Sequence, residues 1–146
     1  MSEFYLEQPK NFQFKVEVST VFIECENKLL FLQRASDKIA PGTWAIPGGK
    51  LEKNETPLES LIREIHEELQ LSPSLDVINY KKSFFVRHSL LNYRLHLFQW
   101  ILSSFPTITI NFDEHQAFVW QPIEKINELP LLEGQIEAYQ SVYGNY

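Results

Sequence analysis

The sequence lacks the features that mark several protein classes. It has a single cysteine, Cys25, so no intramolecular disulfide can form, and no Cys/His set stands at zinc-finger spacing. No apolar run approaches the roughly 18 residues that a membrane-spanning helix needs. The N-terminal segment has no apolar stretch of the signal-peptide kind. Basic residues are outnumbered, with 13 Lys and Arg against 19 Asp and Glu, for a net charge of −6. That balance argues against wrapping a long nucleic acid, which needs dense Lys and Arg contacts to phosphate. It does not argue against a small phosphorylated ligand, because a divalent cation can bring an anion to an acidic site. Repeats and low-complexity segments are also missing, and 44% of the residues are hydrophobic and spread along the chain, which excludes a disordered polymer. The expectation is one cytoplasmic domain over residues 1–146, able to bury roughly 68–70% of its extended-chain surface.

What is present reads as strands mixed with helices. Val16–Cys25 is rich in β-branched residues, and residues 28–33 (KLLFLQ) follow after Glu26-Asn27, which together predict a hairpin. Residues 34–43 are polar around Pro41-Gly42 and predict a loop. Trp44-Ala45-Ile46 predicts a short buried strand ending at Pro47-Gly48-Gly49. A helix follows, with Thr56 as N-cap, Pro57 in the first turn and Glu59 completing a capping box. Leu58, Leu61, Ile62, Ile65 and Leu69 give it a core face, and Ser72-Pro73-Ser74 stops it. Strands are expected over 77–87, 93–102 and 107–111, with a short one ending at Trp120, and helices over 122–128 and 132–143. The pattern is α/β (α+β in some schemes), a sheet layered between helices.

On the helix that starts at Pro57, Glu64, Glu67 and Glu68 fall within an arc of about 100°, beside the apolar stripe. They repel one another by about 0.2–0.5 kcal/mol per exposed pair, and they lie in the half of the helix where the macrodipole disfavours anions. A solvated acidic face is the plain alternative. The loop just before the helix tips the balance. Gly48 and Gly49 let backbone approach a ligand closely, and Lys50 adds a cation. Together with the carboxylates they suit a hard cation bridged to a phosphate chain.

Gly49, Glu55, Arg63-Glu64-Ile65-His66-Glu67-Glu68 and Leu71 match the pattern G-x5-E-x7-R-E-U-x-E-E-x-G-U, with U apolar, over 23 of 146 residues. On these residues the sequence resembles the Nudix hydrolases. Upstream, Q-R-A-S-D from Gln33 and G-T-W-A-I-P-G-G-K-L-E from Gly42 are similar to the MutT-type branch of nucleoside triphosphate pyrophosphohydrolases. Downstream, Glu114-His115 followed by Trp120 (E-H-x4-W) also resembles members of the family. One position departs: Gln70 stands where the pattern has glycine. That places the local backbone in question, because a left-handed Gln would cost about 1 kcal/mol or more.

The resemblance implies a mixed sheet sandwiched between helices and a Mg2+ (or Mn2+) cofactor. The implied reaction is hydrolysis of a pyrophosphate linkage in a nucleoside triphosphate or related nucleoside diphosphate derivative, by metal-activated water attack on phosphorus. Carried over residue by residue, it implies metal ligation by Glu64, Glu67, Glu68 and the Gly48 carbonyl. It implies catalytic roles for Glu64 and Glu68, with Glu114 as a further metal ligand or base. Arg34 and Lys50 become candidates for phosphate contacts, whereas Gly49, Glu55 and Arg63 support the site. His115 is expected to pack rather than react. A nucleotide is the implied partner, membranes and nucleic acid are not expected, and a homodimer is compatible with the sequence. Dinucleoside polyphosphate, pterin triphosphate or nucleotide-sugar hydrolysis are alternatives, as are messenger-RNA cap removal and a non-catalytic nucleotide sensor.

Overall fold

A computed structural model describes residues 1–144. The elements run β1 (Glu3–Tyr5), β2 (Val16–Cys25), β3 (Lys28–Arg34), β4 (Trp44–Ala45), β5 (Gly48–Lys50), α1 (Pro57–Leu69), β6 (Asn79–Arg87), β7 (Asn92–Leu102), β8 (His115–Pro122) and α2 (Gln135–Tyr143), with 3-10 turns at Leu75–Val77 and Ile123–Glu128. All eight strands join one mixed sheet in the order β1-β6-β7-β2-β3-β4, with β5 also on β2 and β8 also on β3. This mixed sheet with few helices is an α+β arrangement.

Alternation along the central strands assigns each residue to a layer. Val21 and Ile23 of β2, Leu30 and Leu32 of β3, and Phe98 and Trp100 of β7 face Leu61, Ile65 and Leu69 of α1. Phe22, Leu29, Phe31, Leu95 and Leu97 point the other way, toward Ala138 and Tyr139 of α2. With both faces covered, the strands read as continuous apolar runs rather than strict alternation.

The pairing of β2 creates the opening for the site. Along its whole length β2 runs parallel to β7, but it pairs with β3 only at Glu24↔Leu29 and Cys25↔Lys28. Beyond the tight turn, where Glu26 and Asn27 both have positive φ, the two strands diverge. The gap is filled by β5, whose Gly48 to Lys50 pair with Val18 to Thr20. The glycine segment expected to be a loop is therefore a short strand pinned against β2, with the Val21 amide also donating to the Pro47 carbonyl at 3.0 Å.

Other expectations need correction. Residues 107–111 form no strand; Ile108 and Ile110 pack on the α1 side of the core, and the Thr109 amide donates to the Leu69 carbonyl at 3.2 Å. Pro106 has no amide to offer a ladder, and the segment covers the end of α1 instead. The helix expected over 122–128 is a 3-10 turn, interrupted at Lys125 by φ −118° and ψ 21°. The C-terminal helix begins at Gln135, after Gly134. Strand β1 was not signalled, having three residues and a partner, β6, more than 70 positions away.

The α1 cap follows the sequence: the Glu59 amide donates to Thr56 Oγ1 at 3.2 Å, and the Thr56 amide to Glu59 Oε1 at 2.9 Å. Gln70 sits in the left-handed region at φ 56°, ψ 39°, with its amide donating to the His66 carbonyl. It thus keeps the backbone shape that glycine would adopt without strain. Replacing it should relieve that strain: Gln70→Gly is expected to raise the unfolding free energy by about 0.5–1 kcal/mol in urea titration, with the m-value unchanged.

Candidate functional site

The site is assembled around α1, β5 and the start of β8. Gly48 has φ 152°, and a Cβ there would run into Ser19 and Thr20 of β2. A Cβ on Gly49 would lie 2.5 Å from the Glu64 carboxyl carbon. The two glycines thus allow β5 to press against β2 on one side and admit a carboxylate on the other.

Glu68 is 4% exposed. The Gly48 amide donates to its Oε1 at 2.9 Å. Burial raises the Glu68 pKa well above the ordinary carboxylate value, and the negative charges of Glu64, Glu114 and Glu67 push in the same direction. Glu64 is also raised, first by burial, although Arg63 opposes this.

Arg63 is shared among several acids. Its Nε and Nη2 donate to Glu55 Oε2 and Oε1 at 2.7 and 2.9 Å, and its Nη1 donates to Glu64 Oε1 at 2.9 Å and Glu67 Oε2 at 3.1 Å. Nη2 also donates to the Lys50 carbonyl, and exposed Glu52 stands 3.5 Å from Nε. The Arg63 hydrogen bonds hold the Glu55 carboxyl at about 2, and the Glu52 amide assists. Arg63, expected only to support the site together with Glu55, thus also engages Glu64 and Glu67. Glu67 is half exposed and turned toward Arg63, whereas Glu68 is turned inward.

Glu114 is exposed, and its backbone carbonyl accepts from the Ala35 amide at 3.0 Å. It is nevertheless brought to Glu68, because Glu68, Glu114 and His115 carry donor atoms all within 4.8 Å of one another. His115 is 7% exposed, with Nε2 3.8 Å from Glu68 Oε2. Burial lowers its pKa to about 4, assisted by the positive charges of Arg34 and Lys38, so it is neutral at pH 7. The expectation that His115 packs holds for its burial, but the ring packs inside the acidic cluster. Its adjacency to Glu114 was the available signal.

A cavity of about 470 Å3 adjoins the cluster, lined among others by Arg34, Lys38, Lys50, Glu68 and Tyr93. Arg34 Nε donates to the Ile39 carbonyl at 2.6 Å, which fixes the 34–42 loop. Lys38, not singled out in the sequence, adds a third cation. Tyr93 is the aromatic residue that lines the cavity. Phe84, Phe98 and Trp100 are in the core, Phe85 packs with Phe12 and Phe14, Trp120 packs with Phe105, and Phe118 is exposed. Trp44 packs against the α2-side core.

A divalent cation suits these groups. Glu68 and Glu114 bring carboxylate oxygens together, and the charge of Glu68 is met by one amide while Arg63 is engaged elsewhere. Oxygen donors in excess of positive charge are what a hard cation requires.

Residues 13–142 match the family model described as NUDIX domain. CTP pyrophosphohydrolase of Escherichia coli (strain K12) is 31% identical over 128 residues, covering 86% of this chain and 90% of that protein. 8-oxo-dGTP diphosphatase of Proteus vulgaris is 43% identical over 49 residues, covering 34% of this chain and under half, 44%, of that protein. Among solved structures, a MutT NUDIX hydrolase from Burkholderia pseudomallei superposes with a TM-score of 0.75 at 19% identity, covering 87% of this chain and 97% of that one.

The buried carboxylate makes stability depend on pH. A folded pKa raised above the unfolded value gives stability that is complete below pH 4.5 and is lost as pH rises through the folded pKa. In EDTA, thermal melts from pH 5 to 8.5 should therefore show Glu68→Gln melting above the wild type, with a gap that widens with pH. Adding Mn2+ should narrow the gap by stabilising the wild type. Parallel wild-type and variant curves would contradict the buried-charge assignment.

Proposed function

The chain belongs to the Nudix family and is a hydrolase of phosphorus-containing acid anhydrides acting on nucleotides, and from that premise we propose a nucleoside triphosphate as substrate, with a nucleotide and pyrophosphate as products. The observation that carries the reading is Glu68, buried and held by the Gly48 amide beside Glu114, at a cavity that Arg34 and Lys50 also line. Cations and acids so arranged suit a polyphosphate chain. The CTP pyrophosphohydrolase relative supports the triphosphate assignment. The comparisons give no support to the non-catalytic alternative.

Nudix hydrolases generally use a divalent metal, and Mg2+ or Mn2+ is our assignment here. Glu64, Glu67, Glu68 and the Gly48 carbonyl would hold it, with Glu114, beside Glu68, as a further ligand. When bound, it supplies charge neutralisation for the phosphates and lowers the pKa of water. In this reading Glu64, close against Gly49 and tied to Arg63, would take the proton of the attacking water, with Glu114 as the alternative base. Arg34 and Lys50 orient the phosphates. Gly49, Glu55 and Arg63 keep the carboxylates in place. The same reading takes residues 1–146 as one cytoplasmic domain and does not depend on whether it forms a homodimer.

The test is chromatographic analysis of the products formed with Mg2+ (pyrophosphate, nucleotides, sugar phosphates or cap nucleotide) from a panel of dNTPs, NTPs, oxidised dNTPs, dinucleoside polyphosphates, a pterin triphosphate, sugar nucleotides and capped RNA. Nucleoside triphosphates should give the highest kcat/KM. Removal of a general base lowers rate by about 10²–10⁴-fold. Glu64→Gln is expected to show that loss, and Glu114→Gln should shift the acidic limb of the pH–rate profile if Glu114 is the base. A folded Glu68→Gln with wild-type turnover would reject the metal assignment.

A further inference from the structure

A β-bulge decides where His115 goes. From Lys28↔Pro122 to Gln33↔Ala117 the β3–β8 ladder is regular, but the next pair is Arg34↔His115, so the extra residue Gln116 puts His115 where Gln116 would otherwise stand. Gln116 keeps its own tie, its Nε2 donating to the Arg34 carbonyl at 3.0 Å. On the other side of the bulge the Glu114 and His115 amides both donate to the Asn111 carbonyl, at 3.1 and 3.0 Å, which fixes the backbone there.

The ring so placed is buried, and Nδ1 has no hydrogen-bond partner among the described residues. Nε2 stands 3.8 Å from Glu68 Oε2, too far for a hydrogen bond. The Gly48 amide occupies the other Glu68 oxygen, Oε1, so Oε2 is the one turned to the ring. Glu114 adds a carboxylate oxygen to the same cluster. Arg34 and Lys38 line the cavity, but among the described residues neither forms an ion pair with Glu68 or Glu114, and Arg63 engages Glu52, Glu55, Glu64 and Glu67 instead. A buried imidazole with nothing to bond costs stability, so an unmet ring facing unmet carboxylates calls for a partner between them.

We propose that His115 Nε2 is a ligand, together with Glu68 and Glu114, to a divalent cation, and that this nitrogen makes the centre favour first-row transition ions over Mg2+. The inference rests on the metal-dependent reading above and adds to it a donor that is not oxygen. Were the ring proton on Nε2, the ring would hydrogen-bond a carboxylate, and it stands too far away to do so. With the proton on Nδ1, the Nε2 lone pair faces the acids, and a cation is the group that all three side chains can bind. Donors 3.8 Å apart are close enough for one ion with ligand bonds of about 2.0–2.2 Å to reach both. Mg2+ takes oxygen ligands and water, whereas an imidazole nitrogen suits the transition ions, with affinity rising from Mn2+ through Co2+. Glu64 and Glu67, held by Arg63, offer oxygen alone; the His115 side of Glu68 offers both kinds of donor.

Mn2+ bound to the full chain reports its own ligands. Electron spin-echo modulation, recorded from substoichiometric to saturating Mn2+, should show coupling to an imidazole nitrogen, and His115→Gln should remove it. Parallel calorimetric titrations with Co2+ and Mg2+ should give His115→Gln a loss of Co2+ affinity of about tenfold or more, the scale seen when a group supporting a metal site is removed, with a smaller loss for Mg2+. The wild-type spectrum needs no variant, so it decides the matter even where His115→Gln fails to fold. Absence of nitrogen coupling in the Mn2+-loaded wild type, its persistence in folded His115→Gln, or equal losses of Co2+ and Mg2+ would overturn the proposal, as would no Mn2+ binding at all. Nitrogen coupling with no hydrolysis of any nucleotide in the panel above would reject the reaction while upholding the ligand. Hydrolysis with no nitrogen coupling would do the reverse.

Discussion

One guanidinium sets the order of the acids in this protein. Arg63 grips Glu55 with two parallel hydrogen bonds, touches Glu64 and Glu67 with a third nitrogen, and reaches the Lys50 carbonyl. The segment before α1 is thereby tied to the helix, and three carboxylates that would repel one another are given fixed places. A lysine could not do this, since it offers a compact charge rather than a planar fork. What Arg63 leaves out matters equally: Glu68 is turned inward, buried, with the Gly48 amide as its hydrogen-bond donor and Glu114 and His115 beside it.

The acidic balance of the chain is therefore unevenly used. Glu55, Glu64, Glu67 and Glu68 fall within 14 residues. Part of that charge is neutralised internally by Arg63. Part is confined at buried Glu68, where water cannot screen it well, with exposed Glu114 beside it. Arg34, Lys38 and Lys50 line the same cavity, so the wall presents both signs to an incoming anion. The −6 of the whole chain describes none of this.

Local features were legible in the sequence because their causes are local. The Glu26-Asn27 turn, the Thr56 to Glu59 cap and the Leu61, Ile65, Leu69 face each depend on residues a few positions apart. The spacing from Gly49 to Glu68 was legible too, because a helix converts spacing into direction. What escaped was decided by distant partners. Gly48 to Lys50 becomes a strand only because β2 and β3 part company there. Ile108 and Ile110 alternate as a strand would, but bury their side chains without a ladder. Glu133 is an ordinary acid in sequence and gains its fixed orientation from Ser2, 131 positions away. His115 sat beside a recognised acid, yet its burial against Glu68 depends on how β8 docks on β3.

The parallel pairing of β2 with β7 has a consequence for how the molecule comes into being. Val16 meets Tyr93 and Cys25 meets Leu102, so the ten pairs of this ladder each join residues 77 positions apart. On a ribosome the first hairpin and α1 emerge together, but β2 waits for the chain through residue 102 before its central neighbour exists. Until then both faces of β2 and β3 carry apolar residues without a closed sheet to hold them. Because β7, and then β8 with Glu114 and His115, are made late, the acidic centre cannot be complete until the chain has been synthesised through residue 115. A nascent fragment ending before residue 114 would carry the whole glutamate-rich helix and still lack the residues that complete its acidic cluster.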